Sequence, residues 1–118
     1  MPFTLVEKSA AFLHVQFSGV MSFADMTAMQ KGAQQLIAGG LNPRVLIELV
    51  DFGGWEKSAE WGDITFMVEH GDDIARMAIV GEERWRDQAL MFVASGLRAT
   101  EIEYFTPDDL DSARGWIA

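Results

Sequence analysis

The chain has 118 residues, 49% of them hydrophobic, and a formal net charge of −9. That length suits one domain with a core of its own, and the apolar fraction is too high for a disordered chain. The absence of cysteine excludes disulfides, thiolate nucleophiles and cysteine-held metals, while the acidic balance argues against nucleic-acid phosphates and anionic membranes as partners.

Met1 to Glu7 shows no basic segment followed by an apolar run, so it does not read as a secretory signal. No apolar stretch approaches the roughly 18 residues that span a bilayer. A cytoplasmic protein without a membrane span is expected. Phe3–Glu7 alternates and predicts an edge strand, and Lys8-Ser9-Ala10 predicts a turn. Ala11–Ser18 places Leu13, Val15 and Phe17 on one face and His14 and Gln16 on the other. The short link makes the two strands an antiparallel hairpin. Ser22 with Asp25 three residues on is a capping-box-like start for a helix to Ala38. Its apolar stripe is Met26, Met29, Ala33, Leu36 and Ile37, and Gly39-Gly40 ends it.

Arg44–Val50 is nearly all apolar, as a central strand covered on both faces should be. Asp51 to Lys57 reads as a loop. Ser58 offers a cap for a second helix, with Trp61, Ile64 and Val68 on one stripe and an end near His70-Gly71. Arg76–Val80 predicts a second central strand. Gly81-Glu82-Glu83 leads into a third helix, with Trp85, Ala89, Phe92 and Val93 inward and Gly96 as its stop. Glu101–Phe105 alternates like an edge strand. Thr106-Pro107-Asp108-Asp109 predicts a capped helix start, and Leu110, Ala113 and Ile117 the buried stripe of the last helix. The order predicts a single α/β domain over residues 1–118, with a mixed, mostly parallel sheet of about five strands and four helices.

Several segments together carry a family likeness. They are Val45-Leu46-Ile47-Glu48-Leu49, Asp51-Phe52-Gly53-Gly54-Trp55-Glu56, Ala59-Glu60-Trp61, His70, Arg76–Gly81 with Trp85, Glu103-Tyr104-Phe105, and Ala113-Arg114 with Trp116. In this order the chain resembles the SpoIIAA-like family of small bacterial proteins. That family is similar to the STAS domain of anti-sigma-factor antagonists, which docks on partner proteins, and to the CRAL-TRIO domain, which encloses apolar ligands. The resemblance implies a STAS/CRAL-TRIO-like β-α superhelix with one antiparallel strand. It implies no settled activity, because fold kinship does not carry function. It also implies a phosphorylation switch near Ser58. The usual Asp-Ser or Asp-Thr followed by Ser-Gly is replaced there by Lys57-Ser58-Ala59, and a plain helix cap is the competing reading.

Ligands of open α/β sheets bind beyond the carboxyl ends of the strands. Those ends are Gly19–Met21, Asp51–Glu56, Gly81–Glu83 and Thr106. The second is the richest, with two glycines, an acid and two aromatic rings. Phe52 and Trp55 either cover a pocket together with the Gly81–Trp85 segment or simply cap the core. The candidate ligand- or partner-binding residues are Asp51, Phe52, Gly53, Gly54, Trp55, Ser58, Trp61, Gly81 and Trp85. No catalytic residue, metal site or cofactor is expected. His14 and His70 lack metal-ligand spacing, and no Walker, G-x-G-x-x-G or G-x-S-x-G pattern occurs. The acidic pairs Asp72-Asp73, Glu82-Glu83 and Asp108-Asp109 sit at turns or helix starts, where acids are common. Glu48, within an apolar strand, must find a partner or water.

The expectation is a non-catalytic, STAS-like module that docks on a protein partner. The alternative is a carrier or sensor of a small apolar ligand or lipid, which seven methionines suit as adaptable pocket groups. Met26, Met29, Trp61, Phe66 and Met67 exceed what single stripes require. They predict that the first or second helix is loosely docked, or shares its apolar face with a second copy in a homodimer.

Overall fold

The alternating and apolar runs assemble into one sheet in sequential order. Its strands are β1 (Phe3–Ser9), β2 (Phe12–Met21), β3 (Arg44–Trp55), β4 (Arg76–Val80) and β5 (Glu101–Phe105). β1 pairs antiparallel with β2, and the other pairings are parallel. The computed structural model describes residues 3–9, 11–56, 73–93 and 100–118. They contain three α-helices: α1 (Phe23–Ala38), α2 (Arg86–Phe92) and α3 (Leu110–Ile117). The helix predicted from Ser58 to His70, needed for a count of four, lies outside the described residues, as does the predicted stop at Gly96.

Period-2 alternation divides the core into two layers. Leu13, Val15 and Phe17 are fully buried with Val45, Ile47, Leu49, Met77 and Ile79, under Met26, Met29 and Ala33 of α1 and Ala89 of α2. Each such aliphatic or aromatic side chain contributes about 1.5–3 kcal/mol by leaving water. Leu46, Ala78 and Val80 point to the opposite face and meet Ala113 and Ile117 of α3. That helix follows the last strand and is not a crossover, so it is free to cover the second face.

The capping box of α1 forms as its residues predict. Ser22 Oγ accepts from Asp25 N and Asp25 Oδ2 accepts from Ser22 N, both at 3.1 Å. Glu56 Oε1 accepts from Phe23 N at 2.7 Å, so the end of β3 satisfies a further donor of the first turn. Loose docking, expected of the first or second helix, is not found for α1. Met26 and Met29 are each only 8% exposed, because the stripe is used against the chain's own sheet. Trp61, Phe66 and Met67 lie outside the described residues.

Two helix starts also differ from expectation. Glu83–Trp85 forms a 3-10 turn before α2, and Pro107–Asp109 forms another before α3. Thr106 makes no side-chain cap to the backbone; its Oγ1 donates to Asp109 Oδ2 at 3.4 Å. The other end of α3 is held by Arg76, whose Nη1 donates to the Trp116 carbonyl at 2.9 Å while its guanidinium lies 5.3 Å from the Trp116 ring.

Candidate functional site

Asp51 to Trp55 is strand, which corrects the loop expected from its glycines and acid. β3 is twelve residues long, and it continues alongside β2 past Glu48, where its pairing with β4 stops. Ser18 pairs with Val50 but Gly19 pairs with Phe52, so Asp51 is the extra residue of a bulge. It adopts a left-handed φ of +50°, which Asp tolerates better than most residues. The next pairing, Met21 with Trp55, leaves another surplus residue, and Gly54 there has φ +97°. Turn-forming residues are used here to bulge a ribbon, and bulges re-aim side chains.

The re-aimed rings meet. Phe52 lies 5.0 Å from Trp55 and 5.2 Å from Trp85, and the two indoles are 6.0 Å apart, all near perpendicular. Trp55 also packs on Phe92 of α2 at 5.2 Å. A side chain at Gly54 would stand 3.4 Å from the Trp85 ring. Edge-to-face rings of this kind contribute about 0.5–1.5 kcal/mol per pair beyond area burial.

The segment that presents Trp85 is anchored to β5. Gly81 N donates to the Phe105 carbonyl at 3.0 Å. Tyr104 Oη donates to the Glu82 carbonyl at 2.7 Å, and burial pushes this phenol up to about 12. A Cβ at Gly81 would fall 2.7 Å from Tyr104 Oη and 3.0 Å from Leu49, so only glycine fits. Arg86 lies 5.0 Å from the Tyr104 ring and grips Glu83 through Nε at 2.8 Å and Nη2 at 2.9 Å. That hydrogen-bonded pairing holds the Glu83 carboxyl below the usual carboxylate range. Arg84 lies 4.9 Å from the Trp85 ring and 3.5 Å from Glu82.

Between this aromatic end and the helices is a small apolar cavity of about 20 Å³, room for little more than one water molecule. Its walls include Phe17 and Met21 of β2, Leu49 and Trp55 of β3, Met26 of α1 and Phe92 of α2. The indole Nε1 atoms of Trp55 and Trp85 are both buried, and among the described residues neither has a hydrogen-bond partner.

Of the predicted site residues, Phe52, Gly54, Trp55, Gly81 and Trp85 come together here. Trp55 is half-buried and lines the cavity, while Phe52 is 3% exposed and packs on both indoles instead. Asp51 and Gly53 are exposed on the ribbon and shape its bulges. Ser58 and Trp61 lie outside the described residues.

A polar pair on the other face escaped sequence reasoning. His14 is 2% exposed, and its Nε2 lies 2.5 Å from Glu48 Oε1 on the neighbouring strand. This is the partner that Glu48 required. The available signal was that two polar residues interrupt apolar strands which the topology places side by side. Among the described residues no three His, Asp or Glu side chains converge as a metal set would, and no helix is long and apolar enough to cross a membrane.

No curated protein matches the chain. The crystal structure of an uncharacterized protein with a SpoIIAA-like fold from Shewanella loihica is similar, with a TM-score of 0.74 and 23% identity over 98% of this chain and 94% of that one. At that identity the likeness concerns the fold. The SpoIIAA-like family matches residues 12–118, which is nearly the whole length and includes every strand from β2 onward. The chain therefore belongs to the SpoIIAA-like family.

Proposed function

We propose that this protein is a non-catalytic binding module whose aromatic end takes a small apolar ligand. The observation that carries this reading is the cluster of Phe52, Trp55 and Trp85 beside a small apolar cavity at the carboxyl ends of the parallel strands, where open α/β sheets hold ligands. The described cavity wall offers no acid, base or nucleophile, which suits holding a molecule rather than transforming it. Buried polar side chains elsewhere are occupied within the fold: His14 by Glu48, and Thr100 by the Ile74 carbonyl at 2.7 Å. The absence of cysteine suits work in the reducing cytoplasm.

A second reading, docking on a protein partner as STAS domains do, has its own observation. Val20 and Val50 are 52% and 41% exposed on the part of the β2–β3 ribbon that extends past β4. Apolar groups on a projecting ribbon suit a contact surface.

Native mass spectrometry of the protein purified gently from its host tests the first reading against the second. A small-molecule adduct that disappears in Trp55→Ala is the expected result. A protein-sized adduct that disappears in Val20→Asp, with no small-molecule adduct, would favour docking. The bare chain alone would count against both.

A further inference from the structure

The projecting end of the β2–β3 ribbon combines exposed aliphatic groups with acid. We infer that it docks a cationic segment of a partner protein, whose aliphatic side chains settle on Val20 and Val50. This rests on the docking reading of the ribbon and adds the chemistry of the partner.

Strand register builds the apolar strip. Leu46 meets α3, and alternation carries Glu48 and Val50 onto the same face. β4 ends opposite Glu48, and α3 packs on β3, β4 and β5, so Val50 lies past the cover and is 41% exposed. Val50 pairs with Ser18, two residues before Val20. Phe52 is buried in the core, so Gly53 faces the other way. Val20 stands beside it, since a Cβ at Gly53 would lie 3.3 Å from Val20 Cγ2. Glycine there leaves that flank of Val20 without a covering side chain, and Val20 is 52% exposed.

Charge selects the occupant. The segments Ser18–Met21 and Val50–Glu56 contain two acids and no Lys, Arg or His. Asp51, next to Val50, is exposed, held there by the bulge and its φ of +50°. Lys8 donates to Gln35 of α1, Arg76 is tied to Glu101 and Trp116, and Arg84 and Arg86 lie against Glu82 and Glu83. These cations are engaged elsewhere. The net charge of the whole chain is −9, which attracts a cationic partner and repels anionic lipid headgroups. A twofold contact sets a patch against itself, so a second copy would bring acid against acid. The valines supply the apolar centre of a contact and Asp51 its charged rim.

The test titrates the full chain with three short amphipathic peptides of one pattern, built from Leu and Lys, Leu and Glu, or Ser and Lys. Affinity and backbone amide NMR shifts are read together. The Leu/Lys peptide is expected to bind tightest and to move the amides of Ser18–Met21 and Val50–Gly53. Val20→Ser should weaken it about 5- to 10-fold by removing apolar area. Asp51→Asn should weaken it about 2- to 5-fold at low salt, and Asn suits the left-handed backbone there. Asp108→Asn makes the same charge change in the exposed 3-10 turn before α3 and should leave the affinity unchanged. Equal binding of the Leu/Glu peptide at the ribbon would overturn the cationic partner and leave docking standing. Equal binding of the Ser/Lys peptide, or an equal loss in Asp108→Asn, would overturn the inference in favour of diffuse charge attraction. A concentration-dependent dimer that Val20→Ser abolishes would overturn it in favour of a second copy. If no peptide moves the ribbon amides, the docking reading fails and this inference with it.

Discussion

The two faces of the sheet treat buried polar atoms in opposite ways. On the α3 face, His14 and Glu48 find each other across adjacent strands at 2.5 Å. On the face under α1 and α2, the indole nitrogens of Trp55 and Trp85 find no partner among the described residues. Desolvation penalises a polar atom equally on either face. A closed pair is complete within the fold and contributes structure. The two indole donors have no acceptor among the described residues, and they lie near the strand ends where α/β sheets bind ligands. Partnering therefore separates structure from candidate site in this molecule better than residue type does.

The sharpest way to break this contrast is to orphan a group on the closed face. Glu48→Ala leaves His14 buried without its acceptor and should cost about 3 kcal/mol in urea-induced unfolding. Replacing both groups, as His14→Phe with Glu48→Leu, should cost less than the two single changes added together. Strict additivity would mean that the pair is not coupled.

A smaller effect is expected where the open face is anchored. Gly81→Ala forces a methyl group against Tyr104 Oη and Leu49 and should lose about 2 kcal/mol by overpacking. A neutral result would show that the Glu82–Trp85 segment can shift, and would weaken the idea of a preformed aromatic end.

Smaller again, Tyr104→Phe should lose about 1 kcal/mol at neutral pH, the worth of its hydrogen bond to the Glu82 carbonyl. Its pH signature is more specific. Burial raises the phenol from 10.0 to about 12 in the fold, so the neutral form is the one the native state favours. That contribution is complete below pH 10 and is lost as pH rises toward and through 12. Tyr104→Phe should lack this alkaline loss of stability. An unchanged alkaline limb in the variant would place the titration elsewhere.

The sequence made the frame of the fold legible where one physical signal dominated. Alternation in Leu13, Val15 and Phe17, unbroken apolarity in Arg44–Val50, and Ser22 with Asp25 each mapped directly onto a face, a central strand and a cap. The resemblance added the family, which the match over residues 12–118 bears out. What stayed hidden depended on register. Asp51, Gly53 and Gly54 carry the chemistry of turns, and only pairing with Gly19 and Met21 makes them bulges. His14 and Glu48 are 34 positions apart, and each looks like an isolated polar residue until the strands are laid side by side. The aromatic end was half legible: its residues could be named, but the meeting of Trp85 with Trp55 depends on Gly81 and Tyr104 positioning a separate segment.

The central claim is that the aromatic end is a ligand site rather than a plug in the core. Equilibrium unfolding of Trp55→Ala tests it most directly. Trp55 is half-buried and already borders a cavity, so its truncation enlarges an existing void instead of opening a new one. The account predicts a loss of about 1–2 kcal/mol, well below the cost of truncating a core aromatic. A loss of about 3–5 kcal/mol, the range for fully packed Phe and Trp residues, would contradict it.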